Sequence, residues 1–155
     1  MADRTQEKST IHIRDLRSED FDRGFLDALA ALTDVDLTPQ TARSILNGMP
    51  ANVRTFVAES AGRVVGAVTL LIERKFIHGG GSVGHIEDVA VDRRHQRCGI
   101  GTALVEHAIQ AAAMRDATKS YSIALIRWFP FTNAWDSDRL IAAYGSICGT
   151  INGGS

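Results

Sequence analysis

The chain is poor in cysteine, proline and aromatic residues: two cysteines, three prolines, and 6% Phe, Trp and Tyr in 155 residues. Cys98 and Cys148 stand far apart with no C-x-x-C pair, which excludes a disulfide framework and a zinc-ligand spacing. Neither sign of charge dominates, with 17 Lys+Arg against 18 Asp+Glu, so the basic face that nucleic-acid binders show is missing. The longest apolar run, residues 64–72, contains Gly66 and Thr69 and falls far short of the roughly 20 residues that span a bilayer. A charged start followed by an apolar stretch and a small-residue cleavage site is also missing. Together these absences predict one soluble, cytoplasmic domain with no metal, no nucleic-acid partner and no membrane segment.

What is present alternates between two periods. Residues 1–9 are polar and aperiodic, as in a flexible terminus. Ile11, Ile13 and Leu16 suggest an entering strand. Ser18, Glu19 and Asp20 suggest a capped helix start, with Phe21, Phe25, Leu26 and Leu29 at helical spacing behind it. Thr38-Pro39 and Asn47-Gly48 bracket a second helix, a cap and first-turn proline at one end and a glycine stop at the other. From residue 54 the period shortens to that of strands: 55–58, a turn at 60–63, then 64–73 as the hairpin partner. A glycine connector at 79–82 leads to another strand, 83–91. After a polar turn, Leu104, Val105, Ala108, Ile109 and Ala112 form one apolar helix face, and 121–125 reads as a further strand. The fold class expected is α/β (α+β), a mixed, mostly antiparallel sheet flanked by helices.

Gln96-Arg97-Cys98-Gly99-Ile100-Gly101-Thr102 falls between a strand and a helix. A helix N-terminus exposes amides without intrahelical partners and the positive end of the helix dipole, which suit a phosphate or diphosphate. Glycines at 99 and 101 let a ligand approach the main chain without meeting a Cβ. Taken alone, the spacing is as common in a plain strand-to-helix connector.

In context, Gln96-x-x-Gly99-x-Gly101 resembles the acetyl-CoA loop of the GNAT N-acetyltransferases. The stretch Ile72-Glu73-Arg74-Lys75-Phe76-Ile77-His78, the loop after it, and Gly84-His85-Ile86-Glu87-Asp88-Val89-Ala90-Val91 sharpen that likeness, as do Leu32-Thr33 and Thr38-Pro39. In these segments the chain resembles the glucosamine 6-phosphate N-acetyltransferases across residues 11–125. The resemblance implies a GNAT fold over residues 10–125, a homodimer, and acetyl-CoA as co-substrate beside Val89, Ala90 and Val91. The diphosphate would lie on the amides of Arg97, Cys98, Gly99, Ile100, Gly101 and Thr102. Glucosamine 6-phosphate would be held around Thr33, Lys75, Phe76, Ile77, His78, Glu87 and Asp88.

The implied chemistry is attack of the sugar's amine on the thioester, so an ammonium must first lose a proton, and carboxylates near it help. Glu87 and Asp88 occupy successive strand positions and are expected to point to opposite faces, one toward substrate and one toward the frame. The Val89 amide is the expected oxyanion donor. Plainer readings stand beside these: a charged strand edge for Glu87-Asp88, a solvated surface for Lys75 and His78, a helix-terminal cap for Thr33. Cys98 lacks a neighbouring base and is read as a main-chain contributor, not a nucleophile.

The likeness ends at Leu125. Where the family continues with an Asp-Cys pair, an Asn and an aromatic-Tyr pair, this chain runs Ile126-Arg127-Trp128-Phe129-Pro130 and Asn133-Ala134-Trp135. Ile126 replaces the acid expected near the amine, and Trp135 the tyrosine expected beside the leaving thiolate. Residues 126–155 are therefore read as a divergent tail. That departure leaves two alternatives open: a GNAT enzyme for another primary amine, or an acetyl-CoA-binding protein with impaired catalysis.

Overall fold

A two-residue turn closes the central hairpin of the sheet. Ala61 (φ 48°) and Gly62 (φ 77°) are both left-handed, the turn geometry whose twist matches that of paired strands. They join β2 (Val53–Ser60) to β3 (Arg63–Arg74) with Ser60 opposite Arg63. This computed structural model describes residues 10–76 and 80–114, and the backbone of 121–125. The expected flexible terminus, 1–9, the expected tail, 126–155, and Ile77 and His78 of the expected substrate site lie outside the described residues.

Five strands pair in chain order, β1 (His12–Asp15), β2, β3, β4 (Ser82–Val91) and β5 (Tyr121–Leu125). The first four are antiparallel; β5 runs parallel to β4 after the crossover helix α3 (Ile100–Met114). This is the α+β arrangement expected from the sequence. On one face, Phe56, Val68, Leu70 and Ile86 pack with Leu104, Val105, Ala108 and Ile109 of α3. On the other, Val57, Val64 and Ala67 pack with Phe21, Phe25 of α1 (Phe25–Leu29) and Ala42 of α2 (Pro39–Asn47). Helix α2 starts as expected, the Thr38 hydroxyl accepting the Thr41 amide at 3.2 Å and Pro39 sitting at the first position.

The first helix departs from expectation. Residues 18–29 are not one helix: a 3₁₀ turn (Ser18–Asp22) and α1 are separated by Gly24 at φ 103°. A side chain at Gly24 would stand 2.7 Å from the Val64 carbonyl, and Val64 donates to the Arg23 carbonyl at 2.8 Å. The chain breaks here because it rests directly on β3. Ser18 is inside the turn, not its cap; Asp20 accepts the Arg17 amide instead. Asp20 is fully buried and takes both ends of the Arg14 guanidinium, at 2.7 and 2.8 Å, while Arg14 also donates to Glu59. Burial alone would raise the Asp20 pKa; the Arg14 and Arg17 donors outweigh it and hold the carboxyl below its ordinary value.

Candidate active site

The ladder between β3 and β4 is interrupted where the candidate carboxylates stand. Ala67 pairs with Ala90 and Thr69 with Glu87, so Val68 faces two residues, Asp88 and Val89. This bulge inserts one residue into β4 and reverses the facing of the residues after it. Asp88 takes a left-handed conformation, φ 51°, uncommon for a residue with a side chain but best tolerated by Asn and Asp. Before the bulge Ile86 packs toward α3; after it, Val89 and Val91 do.

The bulge corrects the expectation that Glu87 and Asp88 face opposite ways. Glu87 stands opposite Thr69, and cross-strand partners share a face. Asp88 lines the same cavity as Thr69, on the side covered by α1 and α2. Strict alternation fails because the inserted residue uses up the half-period. On its other edge, β4 pairs with β5 only from Ser82 to Ile86. Among the described residues, Glu87 to Val91 have no strand partner there.

The chain leaves β4 through a set of polar ties. The Asp92 amide donates to the Val65 carbonyl at 2.8 Å, and its carboxylate accepts the Arg94 amide at 2.9 Å and the Arg94 guanidinium at 2.8 Å. Arg94 holds the buried Asp92 carboxyl down to about 2. The Gln96 side-chain amide donates to the Val91 carbonyl at 3.1 Å, latching the turn to the strand end. Arg97 (φ 64°) and Gly99 (φ 78°) are left-handed, and the Gly99 carbonyl accepts the Ala103 amide at 3.0 Å as α3 begins. The amides of Ile100, Gly101 and Thr102 therefore lie in the first turn, where an α-helix supplies no internal acceptor. A Cβ built on Gly99 would meet nothing within 4 Å. Glycine serves its backbone conformation there, since the position itself has room for a side chain.

Two features went unread in the sequence. A Cβ at Gly66 would stand 2.9 Å from the Ala90 carbonyl and 3.1 Å from the Leu104 side chain. Its absence lets the first turns of α3 settle against β3 and β4, which aims the helix mouth. Lys75, expected either beside glucosamine 6-phosphate or on a solvated surface, has its Nζ 2.6 Å from Glu73 Oε2, which also lies 3.1 Å from His85 Nε2. Lys75 and then His85 hold the Glu73 carboxyl below its ordinary value. Phe76 is fully exposed beside this trio. Thr33 lies in the exposed turn after α1, its amide 3.4 Å from the Leu29 carbonyl.

A bulged ladder is thus followed by a left-handed turn that opens α3. The Acetyltransferase (GNAT) family model covers residues 12–128. This chain belongs to the GNAT family. Glucosamine 6-phosphate N-acetyltransferase 1 of Oryza sativa subsp. japonica is 38% identical over 113 residues, spanning 69% of this chain and 68% of that protein. A Trypanosoma brucei acetyltransferase of known structure is 27% identical with a TM-score of 0.66, covering 89% and 91% of the two chains. The Arabidopsis thaliana glucosamine-6-phosphate N-acetyltransferase shares the fold at TM-score 0.69 and 22% identity, covering 88% and 90%. The GNAT match takes in both the bulge and the turn. Among the described residues no group of three or more His, Cys, Asp or Glu is arranged to hold a metal ion, and no helix is long and apolar enough to cross a membrane.

Proposed function

We propose that the chain transfers acetyl from acetyl-CoA to the 2-amino group of glucosamine 6-phosphate, giving N-acetylglucosamine 6-phosphate. The observation that carries this reading is the bulge at Asp88-Val89 leading into the left-handed turn at Arg97 and Gly99. The coenzyme supplies an acetyl group activated as a thioester. The amides of Arg97, Cys98, Gly99, Ile100, Gly101 and Thr102 hold its diphosphate, where dipole and unpaired N–H groups both favour an anion. Val89, Ala90 and Val91 offer main-chain groups to its extended arm, and the Val89 amide polarises the thioester carbonyl as negative charge develops on oxygen.

Glu87 and Asp88, now on one face, draw the sugar's ammonium and help it shed the proton that blocks attack. Lys75 answers the sugar phosphate by exchanging its bond to Glu73 for the more highly charged oxyanion, with Phe76, Ile77, His78 and Thr33 around it. In this reading residues 10–125 form the acetyltransferase domain and 126–155 a divergent tail. The enzyme works in the cytoplasm as a homodimer that binds neither nucleic acid nor membrane, and light scattering tests the dimer.

A free-thiol assay with acetyl-CoA and glucosamine 6-phosphate tests the activity. Thiol release that requires both reactants, with the N-acetylated sugar phosphate as product, is expected. Coenzyme binding without any release from this amine would refute it.

A further inference from the structure

One oxygen of Glu73 serves two neighbours: Oε2 lies 2.6 Å from Lys75 Nζ and 3.1 Å from His85 Nε2. The ladder puts the three side chains on one face. Glu73 stands opposite Val83, so His85, two residues on, is its diagonal neighbour across the strands. Lys75 follows at the same parity, its amide donating to the Gly81 carbonyl at 2.8 Å and carrying the pairing one step past Arg74 and Ser82. An ionised carboxylate can only accept, so the His85 ring donates through Nε2. That ring is 17% exposed and the Glu73 side chain 48%. A largely buried donor thus anchors a carboxylate that otherwise stands half in water, and keeps it within reach of Lys75.

Held there, Glu73 competes with any anion that comes to Lys75. A phosphate monoester carries roughly two negative charges at neutral pH and displaces a single carboxylate from the ammonium. The competition matters most after the transfer step. Before it, the amino sugar offers two charged ends, an ammonium and a phosphate. Acetylation turns the ammonium into an uncharged amide, so the product is held by charge at its phosphate end alone. We propose that Glu73 is a release residue: its carboxylate takes Lys75 back as the phosphate departs and so shortens the stay of the acetylated product. Glu73 acts through Lys75 and touches neither reactant. Because the same exchange precedes every binding event, substrate and product are weakened by one factor.

This proposal rests on the acetyl-transfer reading for the identity of the sugar, though not for the exchange of one anion for another at Lys75. The test is Glu73→Gln in the full chain. The amide keeps the size of the side chain and an oxygen for His85, and removes the charge that competes. Exposed ion pairs are weak, so the KM for glucosamine 6-phosphate and the inhibition constant of N-acetylglucosamine 6-phosphate should both fall about two- to fivefold, while kcat does not rise. The KM values for acetyl-CoA and for glucosamine without a phosphate should stay as they are, which also shows that the variant folds.

The sign of the change decides. A residue that merely arranged Lys75 for the phosphate would, when lost, raise both constants. Constants that rise or stay unchanged therefore overturn the proposal, as does an equal fall in KM for unphosphorylated glucosamine. Calorimetry with inorganic phosphate separates this inference from the proposed function. If the sugar is not acetylated at all, the proposed function fails, yet phosphate should still bind Glu73→Gln more tightly than the unsubstituted chain. Binding of phosphate that is equal, weaker or undetectable in the variant overturns the release role on its own.

Discussion

The two faces of the sheet are built to different standards. On the α3 face, Phe56, Leu70, Ile86, Leu104 and Val105 are essentially without solvent exposure and interdigitate as one cluster. On the α1/α2 face the packing is interrupted by a cavity, by Thr55 and Thr69, and by Asp88, and is pinned at one end through the buried Arg14–Asp20 pair. The contrast teaches how a small domain divides labour. The dense face fixes a helix mouth in place, where a small misplacement would weaken every amide contact at once. The looser face keeps a cavity under α1 and α2, at the expense of packing.

Breaking the dense face should have the largest effect. Leu104→Ala removes a fully buried side chain against Gly66 and is expected to cost about 3–4 kcal/mol in urea unfolding. The looser face is held by its ion pair: Arg14→Leu leaves the buried Asp20 carboxylate without its guanidinium, with a loss of about 3 kcal/mol by the same measurement. A smaller change sharpens the functional side of the contrast. Gly99→Val forces a β-branched residue into φ 78°, costing about 1–2 kcal/mol locally. It should raise the KM for acetyl-CoA while leaving that for the amine unchanged, since the distortion sits at the helix mouth alone.

The smallest effect concerns acid. Asp92 is ionised at lower pH in the folded chain, with a pKa of about 2 set by Arg94. Its stabilisation is therefore full above the ordinary carboxylate value of about 4 and is lost as pH falls toward 2. Asp92→Asn should flatten that part of the stability-versus-pH curve, leaving the stability above it only modestly lower.

Elements governed by neighbouring residues were readable from the sequence. Thr38, Pro39 and Gly48 mark both ends of α2 by local capping, and the alternation on either side of Ala61-Gly62 defines the β2–β3 hairpin. The turn at 96–102 was legible for the same reason, because Gly99 answers a local backbone demand. What escaped depends on distant partners. The break at Gly24 comes from contact with Val64, forty residues on. Arg14 meets Glu59 across the β1–β2 ladder. Strand periodicity carries no sign of an inserted residue, so nothing in Glu87-Asp88-Val89 announced the bulge that places both carboxylates on one face. The ion pair of Lys75 escaped too, because its partner, Glu73, is an ordinary hairpin acid until the strand brings the two together.

The central claim is that the main-chain amides opening α3 grip the coenzyme. Titrating acetyl-CoA into isotope-labelled protein and following backbone amide resonances tests it directly. The account predicts that Arg97 to Thr102 show the largest shifts, with smaller ones along Val89 to Val91. Saturable binding that leaves the 97–102 amides unmoved while resonances elsewhere shift would contradict it.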